Sequence, residues 1–176
     1  MLEALLSLVN DGNLRPTAEQ VAERADVSVR SVFRHMSDRD ALDRALVELH
    51  VARTGDLFDF APMQGDRSQR VAALIEHRCR LYEVITPVRR AVRVHGPFGS
   101  VLRDRVELVN GMLRAHVIDL FASELDHVDP TRRPVTEAAL EAATSWSTWE
   151  QLRHDQGLDP SAAGAAMSAT VEALLS

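Results

Sequence analysis

The chain is predicted to be all-α, with about nine helices arranged as an N-terminal helix-turn-helix domain and a larger C-terminal helical domain. Three observations predict this. No stretch alternates apolar and polar residues with period two over a useful length, whereas apolar residues recur at three- and four-residue spacing almost throughout. Gly and Pro fall between those periodic runs, at Gly12, Gly55, Pro62, Gly65, Pro87, Gly96, Pro97, Pro130 and Gly157. The runs are short before residue 54 and long after it, which divides the chain into domains 1–53 and 54–176.

In order, Leu2, Leu5, Leu6 and Val9 give a first helix over residues 1–10. Thr17 caps a second, with Gln20 completing a capping box and Val21 and Ala22 turned inward. Ala25, Asp26 and Val27 fill a tight turn. Ser28 caps a third helix whose inward residues are Val32 with Phe33 or Met36, so 17–36 is a helix-turn-helix. Ser37 or Asp38 caps a linking helix over 38–53, with Asp40 placed for a box and Leu42, Ala45, Leu46 and Leu49 as its stripe. Leu5, Leu6, Val9, Val21, Val27, Val32 and Leu42 form the expected core of this domain.

Residues 54–66 read as a loop. A helix over 67–86 carries Val71, Leu74, Ile75, Tyr82 and Ile85 on one face, Pro87 punctuates it, and 88–95 is a short helix. Residues 100–126 give the longest helix. Leu102, Val106, Val109, Leu113, Val117 and Leu120 form one side, and Val101, Leu108, Met112 and Phe121 widen it, so neighbours are expected on both flanks. A helix over 134–155 ends before Gly157, and the Asp159-Pro160 pair starts the last helix.

Net charge is −6, which argues against a protein that coats nucleic acid by charge alone. All twenty basic residues are Arg, a pattern that a coding bias explains more simply than DNA contact. The single cysteine, Cys79, excludes an internal disulfide framework and fits a reducing compartment. No apolar run approaches membrane-spanning length, so no membrane partner and a cytoplasmic location are expected.

On the third helix, Val29, Arg30, Ser31, Arg34 and His35 remain outward, and no acidic residue occurs from Val27 to Ser37. Small, cationic and hydrogen-bonding groups on the second helix of such a motif suit the major groove of double-stranded DNA. Residues 1–52 nevertheless hold six Arg against nine acids, a net of −3, so binding would rest on a local patch.

The residues T-A-E-Q-V-A-E-R-A (17–25), V-S (27, 28) and F-R-H-M-S-D-R-D-A-L (33–42) resemble the tetracycline-repressor (TetR) family of bacterial transcriptional regulators. The resemblance covers about a quarter of the chain and includes the start of the linking helix. It implies DNA contacts from Thr17, Ser28, Val29, Arg30, Ser31, Phe33, Arg34, His35 and Arg39. Asp26 stands where the family has Gly, Phe33 where it has a Tyr whose hydroxyl reaches a phosphate, Met36 where it has Phe, and Arg39 where it has Lys. Arg30 stands where Gly or Ala is common, and no basic residues precede the first helix as they often do in the family, so either this start site is late or DNA is bound without that arm.

The resemblance further implies a small-molecule effector bound among Tyr82, Phe98, Met112, His116, Trp146 and Trp149, for each of which core packing is the plainer explanation. The cations Arg78, Arg80, Arg89, Arg90 and Arg93 offer charge to an anionic effector but read mostly as solvated surface. Small residues fill the last two helices, Ala138, Ala139, Ala142 and Ala143, then Ala162, Ala163, Gly164, Ala165, Ala166, Ala169 and Ala173. They suit a four-helix homodimer interface, which would present two reading heads to a palindromic operator. No metal-ligand spacing, nucleophile elbow, Gly-rich phosphate loop or paired-carboxylate signature is present, so neither enzyme nor cofactor is expected. The alternative is an all-α small-molecule binding protein with a weak or vestigial DNA-binding head.

Overall fold

The computed structural model describes residues 1–36, 39–60, 63–94 and 100–176, with side-chain detail except at 35, 36, 39–44, 47, 92, 94 and 100–102. Every regular element among them is helical, and there is no strand among the described residues. The helices are α1 (Leu2–Asn10), α2 (Ala18–Ala25), α3 (Val29–Met36), α4 (Arg39–Thr54), α5 (Arg67–Val94), α6 (Ser100–Leu120), α7 (Ala122–Leu125), α8 (Arg133–Ala143), α9 (Trp146–Glu150) and α10 (Pro160–Leu174). A 3-10 turn at Gly55–Phe58 extends α4, and a π turn at Gln151–Asp155 extends α9. No helix among the described residues is long and apolar enough to cross a membrane.

Three local events separate these ten helices from the nine expected. Pro87 lies inside α5 and does not end it. Its missing N–H and its ring cost roughly 3 kcal/mol in a helix interior. Buried Tyr82 and Ile85 before it and Ala91 after it offset that cost, so α5 runs for 28 residues and is the longest helix. Phe121, at φ −110° and ψ 23°, interrupts the segment expected to be longest and separates α6 from α7. Ser145 turns extended at ψ 157° and caps α9, its Oγ accepting from Thr148 N, which splits the helix expected over 134–155.

The chain divides into two compact units, one made of Met1–Asp59 with Val84–Leu108 and the other of Phe60–Glu83 with Val109–Ser176. In the first unit, Leu8, Val21, Ala22 and Val32 form a core that Met1, Leu5, Ala18 and Val29 cover. The expected core residues Leu6, Val9, Val21 and Val32 are buried. Val27 instead stands 42% exposed, because it lies in the turn, where the helical period that marked it as inward does not apply. Leu42 lies outside the described side chains. Arg24 reaches from α2 to Ser7 Oγ at 2.6 Å and Asp11 at 2.8 Å, and Arg53 pairs with Glu3, which ties α2 and α4 to α1.

In the second unit, α5 buries Val71, Leu74, Ile75, Arg78, Leu81 and Tyr82. A methyl group on Gly164 of α10 would lie 3.0 Å from the Cys79 sulfur, so this small residue permits close approach of α10 to α5. Helix α6 buries Val109, Leu113 and Val117 but leaves Leu108 53% and Met112 37% exposed. Among the described side chains it is therefore covered on one side and not on both.

The break at Thr144 and Ser145 leaves a buried carbonyl without a helical donor. The Tyr82 hydroxyl donates to this Thr144 oxygen at 2.6 Å. A Tyr82→Phe variant, which leaves that carbonyl unpaired, is expected to lose about 1–3 kcal/mol of stability in urea denaturation followed by circular dichroism.

Candidate nucleic-acid interface

Local chemistry builds the helix-turn-helix. Thr17 Oγ1 accepts from Gln20 N at 3.3 Å, and Thr17 N donates to Gln20 Oε1 at 2.9 Å, which is the expected reciprocal box. Helix α2 ends at Asp26, in the left-handed region at φ 52°. There Asp26 N donates to Glu23 O and Val27 N to Ala22 O, a Schellman closure that satisfies two terminal carbonyls. Ser28 Oγ then accepts from Ser31 N at 3.2 Å and starts α3.

The turn aims α3. Val32 is fully buried as expected and Phe33 is 59% exposed, so Phe33 is not its inward companion; the alternative, Met36, lies outside the described side chains. Successive helical residues are about 100° apart, so burying Val32 turns Phe33 away. Arg30, Phe33 and Arg34, at spacings of three and four, share the exposed face. Ser28 is exposed, Val29 and Ser31 are half-buried, and the first turn holds no acid. Of the remaining expected contacts, the side chains of His35 and Arg39 lie outside the described ones.

Thr17 is exposed, but an acid stands beside it. The Glu19 backbone N–H, and then the Thr17 hydroxyl, hold the Glu19 carboxyl below the usual range. A phosphate at this helix N-terminus would compete with that carboxylate for the hydroxyl.

Compared with known proteins, no family model matches this chain, and no curated protein or solved structure matches it.

The residues expected around an effector do not form one set. Tyr82 and Trp149 are buried with ring centroids 6.2 Å apart, and Trp146 is also buried. Met112 is half-exposed, and Phe98 lies outside the described residues. His116 stacks on a residue outside the expected set, Phe60, at 4.1 Å and 15°. His77 meets the same ring edge-on at 5.4 Å, and the Arg78 guanidinium lies 5.7 Å from its centroid. Burial, then the charge of Arg78, pulls the His116 imidazole down to about 4.

Sequence reasoning overlooked Phe60 and His77 and placed Arg78 with the mostly solvated cations. A signal was present for Arg78, because position 78 continues the apolar stripe of Val71, Leu74, Ile75, Tyr82 and Ile85.

Asp26 must stay left-handed for α3 to present this face. An Asp26→Val variant is expected to lose roughly 1–2 kcal/mol, while Asp26→Gly loses nothing, as read by guanidinium denaturation.

Proposed function

We propose that this chain is a TetR-like DNA-binding transcriptional regulator, a homodimeric repressor released from a palindromic operator by a small-molecule effector. The observation that carries this reading is the exposed α3 face, Arg30, Phe33 and Arg34, presented by a doubly capped helix-turn-helix. An α-helix fits the major groove, and Arg bidentate to guanine is the commonest specific contact. Arg30 reads a base, Arg34, His35 and Arg39 reach the groove wall or phosphates, and the Phe33 ring meets a thymine methyl where the family places a Tyr hydroxyl. With a net of −3 over residues 1–52, affinity rests on these few contacts and falls with salt.

Two subunits place two reading heads on the operator. On α8, Val135 is 70% exposed, and Ala138 and Ala142 are exposed at spacings of three and four, an apolar strip suited to a twin. On α10, the buried residues Ala163, Gly164, Met167 and Val171 are used within the subunit, which leaves Ala162, Ala165, Ala169 and Ala173 for the interface. Helix α4 leads from the reading head toward the remainder of the chain, and effector binding shifts the population away from the DNA-competent arrangement. Such a protein works in the cytoplasm, beside the genome.

The acid balance of the head and the Glu19 carboxylate at Thr17 favour a second reading, a small-molecule binding protein with a weak head. Fluorescence anisotropy with duplexes flanking the protein's own gene, across a salt series, separates the two. Sequence-selective, salt-dependent binding supports the regulator, and its absence supports the binding protein.

Arg30→Ala is expected to weaken the selected duplex by about 1–3 kcal/mol while unrelated DNA changes little. Equal binding of every duplex by parent and variant would remove Arg30 from the reading. Val135→Arg is expected to convert a dimer to a monomer in size-exclusion chromatography with light scattering.

A further inference from the structure

Arg78 is the fully buried charged side chain of the described residues. Its Nη2 donates to Leu113 O at 2.8 Å, while Nε and Nη1, both buried, have no hydrogen-bond partner. Two other arginines of α5 donate to carbonyls at helix ends. Arg70 caps Leu120 O, in the last turn of α6, and Arg67 caps Leu175 O, just past α10. Leu113 lies within α6, where the helix's own ladder already supplies a donor. Capping therefore does not account for Arg78.

Charge does not account for it either. No carboxylate among the described residues forms an ion pair with Arg78, and burial pulls its guanidinium below the ordinary value. A buried cation without a counter-charge costs several kcal/mol, and Arg does not shed its proton to escape that cost. Its surroundings are aromatic. The Phe60 ring lies 5.7 Å away, and His116, whose Nδ1 is buried without a hydrogen-bond partner, stacks on that ring.

We propose that Arg78, with His116 and Phe60, forms a binding site for a small aromatic monocarboxylate. One carboxylate supplies one negative charge and acceptors for Nε and Nη1 of Arg78. His116 Nδ1 meets an oxygen or a hydroxyl of the ligand, and its flat body packs against the stacked Phe60–His116 pair. A single cation favours a monoanion over inorganic phosphate. The site deepens the effector half of the regulator reading and rests on that reading only for its consequence at DNA.

The test is isothermal titration of the full chain without DNA, using benzoate, its neutral isostere benzamide, acetate and inorganic phosphate. Thermal melting with the same four compounds runs alongside. Benzoate is expected to bind and to raise Tm with concentration, acetate to bind more weakly, and benzamide and phosphate to do neither. Arg78→Met keeps the volume and removes the charge. It is expected to weaken benzoate about tenfold or more without lowering the Tm of the unliganded protein. His116→Phe, which keeps the stack and the cation, is expected to weaken benzoate several-fold and tests the site even if Arg78→Met fails to fold. The proposal is overturned by a parent that ignores benzoate, by benzamide or phosphate binding as well as benzoate, or by Arg78→Met or His116→Phe binding it as the parent does. Benzoate binding that leaves operator affinity unchanged keeps the site and counts against the regulator. Operator binding without benzoate binding does the reverse.

Discussion

A helix that ends inside a packed protein leaves carbonyls that need donors, and in the second unit three of those donors come from α5. Arg67 serves Leu175 O, Arg70 serves Leu120 O, and Tyr82 serves Thr144 O. Each acceptor lies at an end or an interruption of another helix. The breaks at Phe121 and Ser145 are thus tolerated because α5 supplies what the interrupted ladders lose. A net hydrogen bond contributes only about 0.5–1.5 kcal/mol, but a buried carbonyl left unpaired costs more. The apolar face of α5 brings the helices together, and its polar side chains decide where their ends fall.

Arg78 belongs to the same face and follows a different rule. Its neighbours in the stripe are Leu74, Ile75 and Tyr82, all buried, and its acceptor is already served within α6. Phe60 and His116 supply aromatic surface in place of a counter-ion. Arg70 shows the contrast, since it pairs with Glu124 as well as bonding Leu120 O and lies over the Phe121 ring. Two arginines on one helix therefore have opposite electrostatic settings, one neutralised and one not.

The first unit is organised by the closure at Asp26. One left-handed residue turns the chain between α2 and α3, and burial of Val32 then fixes which side of α3 faces outward. The exposed set of two guanidiniums and a benzene ring follows from that rotation. Acids outnumber arginines over residues 1–52, so the acid-free α3 is a local cationic patch, and Glu19 occupies the N-terminus of α2.

What the sequence by itself determined is local. The helical class, the Thr17–Gln20 box, the Ser28 cap, the Asp159–Pro160 start of α10 and the turn at Asp26 each rest on residues a few positions apart, so a short window contains their cause. The apolar face of α5 was legible for the same reason. Tertiary structure alone decided the rest. Pro87 stays helical because packing on both sides of it outweighs its local penalty. Val27 and Met112 lie toward solvent because no neighbour among the described residues covers them, and Arg78 lies inside because α6 and Phe60 do. Burial depends on what the rest of the chain places opposite a residue, and helical period records only which residues share a face.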